Sequence, residues 1–307
     1  MKKILIATDK PFAPVAVKGI RDIFSEGGYE LALLEKYTSR EQLLDAVKDV
    51  HAIIIRSDII DAEIMDAAPA LAIVVRAGAG YDNVDLPAAT AHNVVVMNTP
   101  GQNANAVAEL ALGMMVYHAR NLYNGSSGTE LLGKSLGIHA YGAVGRRVGQ
   151  IARGFGMEVY AFDPFIPGQK MEDDGVKPVR SREELYRNCQ YISLHIPATD
   201  KTKRSIGQEL LNSMPGPAVL VNTARKEVID EEGLKQVMAA RKDFAYLSDI
   251  APDCAAELSE AYPGRVWFTP KKMGAQTAEA NINAGLAAAR QIRAFFEEGD
   301  RTFQVNR

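Results

Sequence analysis

Cysteine is scarce in this chain: Cys189 and Cys254 are its two examples among 307 residues. Two thiols cannot build the disulfide framework of a small secreted fold. A reducing, cytoplasmic setting is therefore expected, with both cysteines as small buried hydrophobes. Also missing is any apolar run approaching the ~18 residues that a membrane span needs, so no membrane partner is expected. A basic excess is absent too. The 35 Lys and Arg residues face 38 Asp and Glu, for a formal charge of −3, which leaves no electrostatic footprint for nucleic acid. The N-terminus runs from Met1 to Ala7 and turns polar by Thr8, Asp9 and Lys10, reading as a first strand rather than a signal peptide. The five histidines (His51, His92, His118, His139 and His195) form no metal-ligand spacing, so no metal is expected.

What is present is a near-continuous alternation of strand and helix patterns. Unbroken apolar runs at Ile4–Ala7, Ala52–Ile55, Ile73–Val75 and Val94–Met97 read as strands buried on both faces. Amphipathic stretches such as Val15–Phe24 and Arg40–Val47 separate them, the second opened by a Ser39-x-x-Gln42 capping pattern. A second series follows: Leu136–Ala140, Val159–Phe162, Tyr191–Leu194, Ala218–Val221, Ala245–Leu247 and Val266–Phe268. Helices between these begin at signals such as Ser181-x-x-Glu184. Two such series predict an α/β protein with two doubly wound parallel-sheet (Rossmann-like) domains.

Between the two series, Glu109 is the one charged residue from Ala106 to Tyr117. A helix apolar on every face must be buried on every face, and this one is too short to cross a membrane. A domain or subunit interface is expected there, which favours a homodimer. The polar stretch from Asn124 to Gly128 reads as a surface loop.

The most informative segment runs from Leu136 to Gly145. An apolar strand enters a glycine-bearing turn, and a helix begins near Ala143. Asp163 ends the next apolar strand, roughly twenty residues past the turn, as a dinucleotide-binding unit requires. Backbone N–H groups at a helix start face a pyrophosphate, the glycine permits close approach, and the acid takes the ribose hydroxyls. One letter departs from G-x-G-x-x-G: its first glycine is Ala140 here.

Further along, Arg76-Ala-Gly-Ala-Gly-Tyr-Asp-Asn-Val-Asp85, Asn98-Thr-Pro-Gly-Gln-Asn103 with Ala108-Glu-Leu110, Leu194-His-Ile-Pro197, Asn222-Thr-Ala-Arg-Lys-Glu-Val-Ile-Asp-Glu231 and Leu247-Ser-Asp249 together resemble the D-2-hydroxyacid dehydrogenase family. The resemblance implies a C-terminal helix, about Ala275–Phe296, that returns to complete the first domain. It puts a substrate-binding domain at 1–98 plus 283–307 and an NAD-binding domain at 99–282. NAD is the implied cofactor, held by Tyr141, Gly142, Ala143, Val144, Gly145 and Asp163, with His195, Pro197, Thr223, Ala224, Asp249 and Gly274 from the later segments. Arg225, at a strand end, is implied to hold the substrate carboxylate through its bidentate fork. A small anionic 2-hydroxy acid is the implied partner, its site lined by Arg56, Ser57, Arg76, Gly78, Ala79, Gly80 and Asn103.

Two departures from the family pattern bear on the acid/base. The family's catalytic histidine lies in a Thr-Pro-His-Ile-Gly segment, and here the chain reads Thr269-Pro-Lys-Lys-Met-Gly-Ala-Gln276. Counting back from Ala280 and Gly285 places Lys272, not Lys271, opposite the histidine. Two solvated lysines at a strand end are the plainer alternative. The family's paired carboxylate would fall at Cys254, and Asp253, one residue short, is the remaining candidate. The two losses agree physically, because a carboxylate raises the pKa of its partner and a lysine, ordinarily at ~10.4, needs lowering to serve as a base. Partial burial of Lys272 beside Arg225 is the expected means.

Within the family the resemblance is nearest to the short branch that oxidises D-3-phosphoglycerate to 3-phosphohydroxypyruvate in serine biosynthesis. Ending at Phe303–Arg307, the chain is expected to lack the serine-binding module of longer relatives. A second carboxylate in place of the phosphate stays open. So do a glyoxylate or hydroxypyruvate reductase and an NAD-sensing, corepressor-like binding protein.

Overall fold

The computed structural model describes residues 1–306. Strands and helices alternate as β1 (Lys3–Thr8), α1 (Pro14–Glu26), β2 (Glu30–Glu35), α2 (Arg40–Ala46), β3 (Ala52–Ile55), α3 (Ala62–Asp66), β4 (Ile73–Arg76), α4 (Leu86–Ala91) and β5 (Val95–Asn98). The chain continues through α5 (Ala104–Ala119), β6 (Ser135–His139), α6 (Ala143–Gly154), β7 (Glu158–Phe162), α7 (Gly168–Asp173), β8 (Lys177–Pro178), α8 (Arg182–Asn188) and β9 (Tyr191–Leu194). The remaining elements are α9 (Gln208–Asn212), β10 (Ala218–Asn222), α10 (Glu231–Ala240), β11 (Phe244–Ser248), α11 (Ala255–Ala261), β12 (Val266–Phe268) and α12 (Ala278–Glu298). Two compact units result, one of Met1–Asn103 with Thr277–Arg307 and the other of Ala104–Gln276.

The first unit carries a parallel sheet in the order β2-β1-β3-β4-β5. Apolar runs make its inner strands: all four residues of β3 are fully buried, as a strand covered on both faces demands. One face packs Ile4, Ile6, Ile54 and Val75 with Ala288 and Ile292 of α12. The other packs Leu5, Ile53, Ile55 and Val74 with Ile64 of α3. The helix at the C-terminal end therefore belongs to the core of this unit. Strand order reverses between β1 and β3, which opens a crevice outside their carboxyl ends.

In the second unit a parallel sheet runs β12-β11-β10-β9-β6-β7-β8, with its reversal between β6 and β9. The apolar segment from Ala106 to Tyr117 forms most of α5. Helix α5 buries Ala108, Ala111, Leu112, Met114 and Met115 in the unit's own core, beside Val148 and Ala152 of α6 and Val219 and Val221 of β10. Its exposed positions, Asn105, Glu109 and Gly113, form one stripe at four-residue spacing. Val107, Leu110, Val116 and Tyr117 stay partly exposed on the same helix. Residues 124–128 are exposed, and no helix among the described residues is long and apolar enough to cross a membrane.

Candidate active site

The turn from β6 to α6 is built around a strained alanine. Ala140 sits at φ 79°, in the left-handed region where a Cβ costs roughly 1–2 kcal/mol. It keeps the backbone path of the glycine it replaces, with its N–H donated to Phe162 O at 2.9 Å. Gly142 caps α6, and Ala143, Val144 and Gly145 form the helix's first turn. A Cβ at Gly145 would collide with Ala140 O, so close packing of turn and helix requires a glycine there. Asp163, at the end of β7, accepts from Tyr141 N through Oδ2 at 2.8 Å and from Phe165 N through Oδ1 at 2.8 Å. Each oxygen retains a lone pair for a further donor.

At the end of β9, the half-buried His195 ring accepts or donates through Nε2 to Ser193 Oγ at 2.9 Å. Burial pushes its imidazole down to about 3, with His139 a smaller contributor. Burial likewise lowers His139 to about 4. Both rings are neutral at physiological pH, which removes them as carriers of a proton there. Pro197 O accepts from Thr202 Oγ1 at 2.5 Å, folding the segment after β9.

The segment after β10 is shaped by Asn222, a residue the motif contains but to which sequence reasoning gave no role. Its Oδ1 accepts from Ala224 N at 3.0 Å, and its Nδ2 donates to Arg225 O at 3.0 Å. Arg225 donates to Ala224 O at 2.9 Å and makes no ion pair among the described residues. The buried hydroxyl of Thr223 has no hydrogen-bond partner there either. Asp253, the remaining carboxylate candidate, meets Lys226 Nζ at 2.5 Å and is largely exposed. The backbone N–H groups of Asp253 and Cys254 donate to Glu231 at 2.8 and 3.0 Å. Asp253 thus fastens the loop beyond Arg225.

After β12 the chain enters the lysine-bearing segment, which Asp249 holds from the end of β11. That carboxylate is fully buried. It accepts from Met273 N at 2.7 Å, Gly274 N at 2.8 Å and Thr269 Oγ1 at 3.1 Å. Asp249 and Gly274, both expected to touch the cofactor, are joined to each other. Lys271 and Lys272 are exposed, so the expected partial burial of Lys272 is corrected.

In the first unit, Arg56, which follows β3, lies beside Arg76, the last residue of β4. Arg56 donates through Nη1 to Lys10 O at 2.9 Å and Pro11 O at 3.2 Å, and through Nη2 to Asn281 Oδ1 at 2.7 Å. Arg76 Nε donates to Arg56 O at 3.0 Å. The other four N–H groups of that guanidinium have no acceptor among the described residues. Gly78, at φ 156°, leaves the space that Arg76 occupies, because a Cβ there would collide with Nη1. Ala79 O accepts from Asn98 Nδ2 at 2.7 Å, which fixes the loop leading to Gly80. Ser57 is exposed, and Asn103 lies half-exposed in the turn before α5. Beneath them, buried Asp58 accepts from Asp9 N at 2.9 Å, Tyr37 Oη at 2.7 Å and Arg56 N at 3.2 Å. Among the described residues, no group of three or more His, Cys, Asp or Glu side chains is placed to hold a metal ion.

These features suit a dinucleotide and a small anion. The glycine-tight turn, the acid with vacant lone pairs and the buried, unpartnered Thr223 hydroxyl all lie at carboxyl ends of the larger sheet, where such folds bind ligands. A family model described as D-isomer specific 2-hydroxyacid dehydrogenase, catalytic domain, matches residues 6–306. D-3-phosphoglycerate dehydrogenase from Methanocaldococcus jannaschii is 33% identical over 95% of this chain, which spans 57% of that protein's length. Hydroxypyruvate reductase from Thermotoga maritima is 32% identical over 86% of this chain and 90% of its own. Among solved structures, NAD⁺-bound 3-phosphoglycerate dehydrogenase from Entamoeba histolytica is 48% identical, with a TM-score of 0.86, covering 100% of this chain and 99% of that one. With two doubly wound sheets and a family model matched over nearly its whole length, the chain belongs to the D-isomer specific 2-hydroxyacid dehydrogenase family.

Proposed function

We propose that the protein is an NAD-dependent dehydrogenase that oxidises D-3-phosphoglycerate to 3-phosphohydroxypyruvate. The observation that carries this reading is the pair Arg56 and Arg76. Neither makes an ion pair among the described residues, and four N–H groups of Arg76 are without an acceptor. Unpaired guanidinium groups held half-buried are costly unless an anion completes them, and a phosphate dianion answers both the charge and the fork geometry.

Oxidation removes a hydride from C2 of the substrate and a proton from its hydroxyl. NAD⁺ supplies the hydride acceptor when bound. Asp163 takes its ribose hydroxyls, and the N–H groups at the start of α6 face its pyrophosphate. Arg225 holds the substrate carboxylate and so fixes the orientation of C2. The amine of Lys272 accepts the hydroxyl proton, and in the reverse direction its ammonium returns it. A homodimer, as the family resemblance implies, belongs to the same proposal and is read by sedimentation.

The similarity to a hydroxypyruvate reductase over 90% of that protein's length favours a second reading, reduction of an unphosphorylated 2-oxo acid. Steady-state rates with NAD⁺ and D-3-phosphoglycerate, set beside D-glycerate and, with NADH, hydroxypyruvate and glyoxylate, separate the two. A kcat/KM for D-3-phosphoglycerate below that for D-glycerate would overturn the first.

A further inference from the structure

Arg56 turns back from the end of β3 over the ring of Phe12, its guanidinium carbon 5.4 Å from the ring centroid. Every acceptor its guanidinium meets is uncharged: Lys10 O, Pro11 O and Asn281 Oδ1. The first two are backbone carbonyls fixed by the fold. Asn281 is a choice of side chain, contributed by the first turns of α12. Its own amide is fixed in turn, because Nδ2 donates to Thr277 O at 2.8 Å. That bond directs the amide oxygen, not the nitrogen, at Arg56. A carboxylate of the same shape could make the same contact and would cancel the charge.

We propose that Asn281 is a positioning residue that sets specificity for a multiply charged anion: it fixes the Arg56 guanidinium with a neutral oxygen and leaves its positive charge for the ligand. Asp58 and Asp9 act on Arg56 only through space, with burial the larger influence, and neither forms an ion pair with its guanidinium among the described residues. The two oxygens of Asp58 take the N–H of Asp9, the hydroxyl of Tyr37 and the backbone N–H of Arg56, and they make no contact with the guanidinium. The inference rests on the reading of Arg56 as an anchor for the substrate's anionic group.

The test is a charge series at one position, Asn281→Asp, Asn281→Ala and the unaltered chain. Each is assayed with D-3-phosphoglycerate and with glyoxylate, and titrated calorimetrically with inorganic phosphate. Asn281→Asp is expected to raise the KM for D-3-phosphoglycerate at least about tenfold, more than it lowers kcat, because the substituted carboxylate opposes the dianion at close range. The KM for the singly charged glyoxylate should rise by less, about threefold. Phosphate affinity should fall about tenfold in Asn281→Asp and by less in Asn281→Ala, which loosens Arg56 without cancelling it. Equal KM increases for both substrates, or the same phosphate affinity in Asn281→Asp as in the unaltered chain, would overturn the inference. If the unaltered chain fails to turn over D-3-phosphoglycerate, the substrate reading falls by itself, and the phosphate titration still decides the role of Asn281. A thermal melt of Asn281→Asp close to that of the unaltered chain separates charge from misfolding.

Discussion

Asp163 Oδ2 accepts the backbone N–H of Tyr141 at 2.8 Å. The acid at the end of β7 and the turn before α6 are therefore one unit. On the proposed reading, the carboxylate that sets this turn would also take the ribose hydroxyls. NAD should consequently be preferred over NADP by at least about tenfold in kcat/KM, roughly 1.4 kcal/mol, because a 2′-phosphate would meet this carboxylate. Equal values for the two cofactors would remove the assignment.

Ala140 carries the strain of a left-handed residue with a Cβ. Ala140→Gly should relieve about 1 kcal/mol, raise the urea midpoint of the second unit and tighten NAD binding. An unchanged midpoint would mean that neighbouring contacts already relax the turn.

The adjacent lysines after β12 form an internal control. Lys272→Ala should lower kcat by about 10²–10⁴ with little change in NAD affinity. Lys271→Ala should alter neither. In the proposed reaction the neutral amine is the active form for oxidation, so the rate should climb with pH well above neutrality. The lowered imidazoles of His139 and His195 are already neutral there and add no step near pH 6.5. If Lys271→Ala is the crippling change, the register is off by one.

Arg76 should matter more to the phosphorylated substrate than Arg56 does, since its fork retains four N–H groups whereas Arg56 already engages three acceptors. Arg76→Lys is expected to lower kcat/KM for D-3-phosphoglycerate about a hundredfold, because an ammonium keeps the charge and loses the fork. Full activity in Arg76→Lys would show that charge alone suffices.

The imidazoles of His139 and His195 also set an acid limit on stability. Each has a folded-state pKa below the ordinary histidine value, about 3 for His195 and about 4 for His139. The unfolded chain therefore binds more protons between those values and ~6.5, and stability falls as pH drops through that window. The slope is about 1.4 kcal/mol per pH unit for each proton taken up. Above pH 7 the contribution is complete and flat. In urea titrations between pH 4 and 7, His195→Gln should show a shallower acid loss, and an unchanged slope would count against burial as the cause.

Much of this architecture was legible because its strands are apolar on both faces. Ala52–Ile55, Tyr191–Leu194 and Val266–Phe268 have the same limits in sequence and structure. β2 was not legible: it is an edge strand with glutamates at both ends and no fully buried residue, paired on one side to β1. Gly145 and Asp163 could be found because a fixed spacing ties them. Asn281 could not, since its partner Arg56 lies 225 residues away and no local pattern links them. The Asp253 contact was hidden for the same reason, since its carboxylate meets Lys226, 27 residues away.

Asp249 anchors the lysine segment through the side chain of Thr269 and the backbone N–H groups of Met273 and Gly274. None of those bonds uses a side chain from residues 271 or 272. On the proposed reading, these three anchors are separate from the residue that would carry the proton. A lineage could exchange histidine and lysine at position 272 by point mutation and keep the loop. Such an exchange would move the working pH of the enzyme without a new fold or a new substrate pocket.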